Sequence, residues 1–184
     1  MFIQTEATPN PATLKFLPGK TVLADGTREF LAPTDASDSP LAAAIFAVPG
    51  VTGVFYGSDF VTVTKSDAEW QHLKPAILGA IMEHFVSGAP LFVGDSAEQA
   101  EDEFFDTTDA QTVTTIKELL ETRIRPAVAG DGGDITFKGF KDGVVFLTMK
   151  GACSGCPSST ATLRHGIENL LKHFLPDVRE VRAA

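Results

Sequence analysis

An acidic segment divides the sequence and limits what the chain can fold into. Residues 94–111, GDSAEQAEDEFFDTTDAQ, contain seven acidic side chains and no Lys or Arg. Like charges repel along such a segment and keep it extended, and the segment has no amphipathic repeat. We therefore predict a mobile acidic linker at 94–111 between two small domains, residues 1–93 and 112–184. Phe104 and Phe105 interrupt the linker, and either rest on a flanking domain or form a docking motif for a partner.

The charge distribution argues against nucleic acid as a partner. Of the net charge of −9, residues 1–93 carry −4, the linker carries −7 and residues 112–184 carry +2. Binding to nucleic acid needs a concentrated basic face, which this balance does not favour.

We find no apolar run long enough to cross a bilayer, so no membrane partner is expected. The first residues lack a basic region followed by an apolar block, and they include Glu6 but no Arg. They therefore resemble neither a secretory signal nor an organellar transit peptide, which predicts a cytoplasmic protein.

Residues 1–93 show an α+β pattern. The predicted elements are two strands within 2–19, a helix at 41–50, a hairpin at 53–65 and a helix at 67–88. Ser39 or Asp38 can cap the first helix, Pro40 suits its first position, and Pro49 and Gly50 end it. In the second helix an apolar side chain recurs every four residues, which predicts one buried stripe. That stripe is formed by Leu73, Ile77, Ile81 and Phe85.

Residues 112–184 repeat the α+β pattern with different elements. A helical stretch comes first, and Pro126 is expected to kink or end it. GDGGD, residues 130–134, predicts a turn with left-handed glycine that leads into a strand. A hairpin with its turn at 141–143, a helix at 158–175 and a last short strand at 178–183 follow. The predicted fold class is α+β: two small domains, each a mostly antiparallel sheet packed by helices, joined by the acidic flexible linker.

The only two cysteines of the chain, Cys153 and Cys156, lie in GACSGCPSST at 151–160. The motif falls between the end of a predicted strand and the start of a helix, with Pro157 in its first turn. The N–H groups of that turn should face the cysteines and favour thiolate over thiol. In a reducing compartment a C-x-x-C pair is more often redox-active or metal-binding than a structural disulfide.

Three chemistries could use this pair. Thiol–disulfide exchange on a thioredoxin-like fold needs more sheet after the helix than the few residues present here. A structural zinc site needs four ligands, and His165 and His173 do not have the usual spacing. A zinc ion shared between two chains stays open. An iron–sulfur cluster of the 4Fe–4S type takes four thiolates, so two chains related by a two-fold axis could supply two each.

The longer sequence resembles a known family. The segment IRPAVAGDGGDITF…GACSGCPSSTATLRHGIENLL closely resembles the C-terminal domain of NifU, the Nfu-type iron–sulfur scaffold domain, over roughly residues 112–184. The stretches TEATPNPATLKFLPG and GVFYGSDFVTVTK look like the Nfu N-terminal domain. Together they follow the order of a standalone Nfu protein. The mitochondrial relatives carry a leading targeting extension that is absent here, so the resemblance implies a bacterial cytoplasmic protein, or a mitochondrial matrix protein in processed form.

The resemblance also implies a function. Cys153 and Cys156 match the family's cluster ligands, so they are the expected cofactor-binding and metal-binding residues, and no catalytic residue is expected. The implied protein is not an enzyme. It is a scaffold or carrier that holds a 4Fe–4S cluster within a homodimer and transfers it to apo iron–sulfur proteins. The implied partners also include upstream cluster assembly proteins.

Overall fold

The computed structural model describes residues 1–94, 103–154 and 157–184. The chain forms two compact units, and the division falls between residues 98 and 99. Within the described residues we find no helix long and apolar enough to cross a membrane. Each unit contains one β-sheet with helices packed against it, so the predicted α+β class is confirmed.

The first unit contains five strands and two α-helices. They are β1 (Gln4–Ala7), β2 (Thr13–Leu17), β3 (Arg28–Phe30), α1 (Pro40–Phe46), β4 (Val51–Tyr56), β5 (Val61–Lys65) and α2 (Trp70–Ser87). All of its strand pairs are antiparallel, in the order β1-β2-β5-β4-β3. The short strand β3 was not predicted, because its three residues include two charged side chains and show no long alternation of apolar and polar residues. Pairing with β4 supplies its conformation.

The sequence signals of the first unit act as expected. Ser39 caps α1, with its hydroxyl oxygen accepting a hydrogen bond from the backbone N–H of Ala42. Three members of the predicted stripe on α2, Leu73, Ile77 and Ile81, are buried in the core. The fourth, Phe85, packs against that core but is only partly buried.

Within its described residues the second unit contains three α-helices and three strands. They are α3 (Ala110–Leu119), α4 (Arg125–Gly130), β6 (Gly133–Lys141), β7 (Val144–Gly151), α5 (Pro157–Phe174) and β8 (Glu180–Ala183). The hairpin of β6 and β7 turns at Asp142 and Gly143, which both have positive φ, as two-residue hairpin loops require. The last strand, β8, pairs with β7 in parallel, so this sheet is mixed and has the order β6-β7-β8.

Pro126 interrupts the helical stretch as predicted, but it does not end it. A π-helical turn, Leu120–Ile124, connects α3 to α4, and Pro126 lies in the first turn of α4. Proline lacks an N–H and its ring clashes with the carbonyl group four residues earlier, so the wider turn accommodates it. The chain then continues through the GDGGD turn into β6.

Of the linker predicted at 94–111, residues 95–102 lie outside the described residues, and residues 103–111 have defined structure. The backbone of Phe104 lies against β6, and a 3₁₀ turn, Thr107–Asp109, precedes α3. Asp106 caps that turn, with a carboxylate oxygen 3.0 Å from the backbone nitrogen of Thr108. These residues therefore lie against the second unit or within its first helix, because local capping and aromatic contacts offset the repulsion between their charges.

Candidate metal centre

The loop after β7 places Cys153 between a strand and a helix. Gly151 ends β7 with a φ of +66°, and its carbonyl oxygen accepts hydrogen bonds from both the backbone N–H and the hydroxyl of Ser154. The hydroxyl of Thr160, in the first turns of α5, donates to the carbonyl oxygen of Cys153 at 3.0 Å. The loop is thus tied to both elements that flank it. Cys156 and Gly155 lie outside the described residues.

The thiol of Cys153 packs directly on Gly133, the first residue of β6. A Cβ atom at position 133 would lie 2.6 Å from Sγ of Cys153 and 2.8 Å from the carbonyl oxygen of Lys150. Gly133 is also the register partner of Gly151 in the hairpin. Gly133 therefore lets the thiol and the backbone of β7 approach β6 closely.

This contact gives the GDGGD turn a second role that the sequence reading missed. Gly132 has a φ of +81°, which confirms the predicted left-handed turn. Its neighbour Gly133 has no such backbone requirement and is needed for space. One sequence signal could have revealed this role. Gly133 follows the turn glycine Gly132 and begins a strand that pairs with the strand leading to Cys153. Only the fold shows which atom fills that space.

Burial controls the protonation of Cys153. The residue is 8% exposed and belongs to the apolar core of the second unit. Its burial, and then the carboxylates of Asp131 and Asp134, raise the pKa of the Cys153 thiol to about 12. The expectation that the helix N-terminus favours the thiolate is therefore wrong for Cys153 in a single chain. Removing the sulfur from water disfavours its charged form more than a nearby helix end favours it.

A partly buried ion pair fixes the turn beside the thiol. Asp134 is 3% exposed, and its two carboxylate oxygens each accept a hydrogen bond from the guanidinium group of Arg125 at 2.9 Å. Arg125 also donates to Glu121 at 2.6 Å. This bidentate geometry aligns α4 with the start of β6, where Gly133 contacts the thiol of Cys153. The ion pair thus fixes the position of Gly133, against which the Cys153 thiol packs.

One chain does not present a closed metal site within the parts that the structure describes. Among those residues no group of three or more His, Cys, Asp or Glu side chains is placed to hold a metal ion. His165 and His173 therefore do not complete such a group around Cys153. The described part of the loop offers a thiol donor, which suits a soft metal centre.

Two known families match this chain, one in each of its two units, and the second match includes the cysteine loop. A model described as "Scaffold protein Nfu/NifU N terminal" matches residues 3–88, and one described as "NifU-like domain" matches residues 116–182. A curated relative, NifU-like protein 5, mitochondrial, from Arabidopsis thaliana, is 55% identical over 98% of this chain and 67% of its own length. The chain belongs to the Nfu/NifU family of scaffold proteins. That family consists of scaffolds and not of enzymes, which confirms the predicted class.

Further relatives extend the comparison. The NFU1 iron-sulfur cluster scaffold homolog, mitochondrial, from Homo sapiens, is 50% identical over 98% of this chain and 71% of its own length. The chain spans 63–71% of the length of eight of the curated relatives it matches. An NMR structure of a NifU-like protein from Saccharomyces cerevisiae, 28% identical, covers 52% of this chain and 87% of its own, with a TM-score of 0.47.

Proposed function

We propose that this chain is an iron–sulfur cluster carrier. Cys153 and Cys156 of two copies bind one 4Fe–4S cluster, which passes to apo iron–sulfur proteins. The observation that carries the proposal is the environment of Cys153. Its buried thiol packs against Gly133, and its loop is hydrogen-bonded to β7 and α5. Membership in a scaffold family, with relatives named as iron–sulfur cluster scaffolds, supports the same conclusion.

The ligand count supports a shared cluster. A 4Fe–4S cluster takes four thiolates, and the whole chain contains two cysteines. Two chains related by a two-fold axis supply the remaining pair from the same loop. Each polypeptide then holds the cluster through only two iron–sulfur bonds, so an incoming thiolate can reach the site.

The protonation of Cys153 favours release of the cluster and sets a cost on binding it. At neutral pH the thiol must lose its proton before it can bind iron, because its pKa is about 12 in the metal-free chain. Asp131 and Asp134 also oppose an additional negative charge beside them. In the transfer step a recipient thiol loses its proton and binds iron, while Cys153 leaves the iron and regains a proton. No electron is transferred, and each exchange replaces one iron–sulfur bond with another.

The same protonation argues against thiol–disulfide exchange by Cys153. An attacking thiol works best when its pKa is near the ambient pH, and a pKa of about 12 leaves almost no thiolate at neutral pH. The zinc-bridged alternative would use the same four thiolates, so the metal content of the loaded protein separates it from the cluster.

The partners and compartment follow from the same proposal. We infer that apo iron–sulfur proteins receive the cluster and that upstream assembly proteins supply it. The curated relatives carry mitochondrial names, which supports the mitochondrial alternative over the cytoplasmic one.

Anaerobic reconstitution tests the proposal. With iron and sulfide, the full chain should bind about two irons per chain and should sediment as a dimer, as four ligands shared by two chains require. Cys153→Ser and Cys156→Ser should each abolish stable loading and leave the far-ultraviolet circular dichroism unchanged. Ser154→Ala, between the two cysteines, removes the hydroxyl bond to Gly151 but keeps the backbone bond and both sulfurs, so it is the matched control and should load. A fully loaded monomer would refute the shared site, and a colourless zinc-loaded protein would refute the cluster.

A further inference from the structure

The pair Phe104–Phe105 lies on the edge of the second sheet. We call residues 103–105 the aromatic strap. The N–H of Phe104 donates to the carbonyl oxygen of Lys138 at 3.1 Å, and the N–H of Phe140 donates to the carbonyl oxygen of Phe104 at 2.9 Å. These two bonds form a parallel bridge between Phe104 and Gly139. The strap therefore adds one bonded residue to the edge of β6 in the manner of strand addition.

The ring of Phe104 occupies a seat made by Gly139. A Cβ atom at position 139 would lie 2.4 Å from the ring of Phe104, so a side chain there would displace the ring from its present position. The ring also contacts Phe146 of β7, with 5.2 Å between the ring centroids. The register of β6 with β7 shifts between Phe137 and Gly139, which opens the strand at this point.

Two further contacts flank the seat. The ring of Phe105 packs against Phe137, with 6.4 Å between the centroids. Glu103 forms an ion pair with Lys117 of α3, whose ammonium nitrogen lies 5.5 Å from the centroid of the Phe137 ring. Lys117 of α3 thus contacts an acidic residue beside the edge of β6, and β6 itself contacts one aromatic residue at Gly139 and a second at Phe137.

The strap is attached in a way that permits exchange. Phe104 and Phe105 remain 43% and 38% exposed, and the strap makes one bridge to β6 rather than a full ladder. Its recognition elements are backbone groups, a glycine seat and an exposed ion pair. Each of these can serve a segment from another polypeptide equally well.

We propose that the edge of β6 is a peptide-recognition site for a partner protein, and that the aromatic strap occupies it as an internal ligand. The partner's segment is extended and contains an acidic residue followed by two aromatic residues. An acidic segment matches Lys117 and the net charge of +2 over residues 112–184. Gly133, which supports the Cys153 thiol, begins the same strand six residues before Gly139, roughly 20 Å away. A partner bound at this edge is thereby held on the unit that carries the cysteine.

A binding assay with the metal-free full chain tests the proposal. The probe is a fluorophore-labelled peptide of the chain's own sequence EDEFFDTT, residues 101–108, and the readout is fluorescence anisotropy. Wild-type protein should bind it weakly, because a tethered segment competes at an effective concentration in the millimolar range. The double variant Phe104→Ala/Phe105→Ala should bind it at least about tenfold more tightly. Phe174→Ala removes another half-exposed phenylalanine of this unit and should behave as wild type.

Two more variants identify the site. Gly139→Val, added to the double variant, occupies the space of the Phe104 ring and should abolish the increase in affinity for the probe. Glu103→Gln keeps both rings in place and weakens only the ion pair, so it should raise the probe's affinity by roughly twofold to fivefold, as expected for an exposed pair. It keeps the test valid if the double variant folds poorly.

Specific outcomes would overturn the proposal. If neither the double variant nor Glu103→Gln binds the probe more tightly than wild type, the strap is a fixed part of the fold. If metal-free wild type is a dimer that the double variant dissociates, the occupant is the strap of a second copy and not a partner protein. The site uses no cysteine, so these results are independent of the outcome of cluster loading.

Discussion

Replacing Gly133 with alanine should separate the seating of the cysteine from the presence of the cysteine. The new Cβ would lie 2.6 Å from Sγ of Cys153, 2.8 Å from the carbonyl oxygen of Lys150 and 3.1 Å from the backbone nitrogen of Cys153. Ordinary contacts between such atoms are about 3.5–4.0 Å, so the thiol must move by roughly 1 Å. A rotation of the Cys153 side chain relieves only the first contact, because the other two involve backbone atoms.

The structure sets the expected size of the effect. Forcing one extra methyl group into a packed site costs typically about 1–3 kcal/mol. For a unit of fewer than 100 residues, each kcal/mol lowers Tm by roughly 4–8 °C. We therefore expect Gly133→Ala to fold, to melt several degrees lower in the second unit, and to load less iron because the displaced thiol no longer meets the metal in the wild-type geometry.

Thermal unfolding of the metal-free protein and iron content after anaerobic reconstitution measure the two effects. Gly130→Ala is the matched control from the same turn, since no atom lies within 4 Å of its added Cβ. That variant should load normally and should be no less stable than wild type. Unchanged Tm and full iron content in Gly133→Ala would show that the thiol does not rest on this glycine.

Two further predictions concern charge near the thiol. Because the folded-state pKa of Cys153 is raised to about 12, above its ordinary value near 9, its contribution to stability is present below about pH 9 and is lost as pH rises toward 12. In unfolding experiments at increasing alkaline pH, Cys153→Ala should lose less stability than wild type. In wild type, chelator competition should show tighter iron binding as pH rises, since iron displaces the proton of the Cys153 thiol. Asp134→Asn should destabilise the second unit by about 1–3 kcal/mol in urea unfolding, because it takes a charged partner from Arg125. The same variant should lower the pKa of Cys153 in thiol titration, and an unchanged pKa would contradict the role given to this carboxylate.

Local sequence determined much of the secondary structure. The Ser39 cap, the apolar stripe of α2 and the turn at Asp142 and Gly143 each depend on residues that are neighbours in the chain. Backbone preferences and the helical period act over such short separations, so these elements could be predicted without knowledge of the fold. The two cysteines and their place between a strand and a helix were visible for the same reason, and their role as ligands of a shared cluster stays a prediction.

Only the tertiary structure decided how Cys153 behaves. The thiol and Gly133 are twenty residues apart in sequence, and their contact exists because β6 pairs with β7. The burial that raises the pKa of the thiol comes from the apolar core that the helices and strands of the second unit form together, and no local pattern around the cysteine predicts it. Likewise, Phe104 meets Gly139 across 35 residues, where an acidic composition alone predicted an extended linker. Close packing and burial depend on which distant segments meet, and therefore only the folded chain determines them.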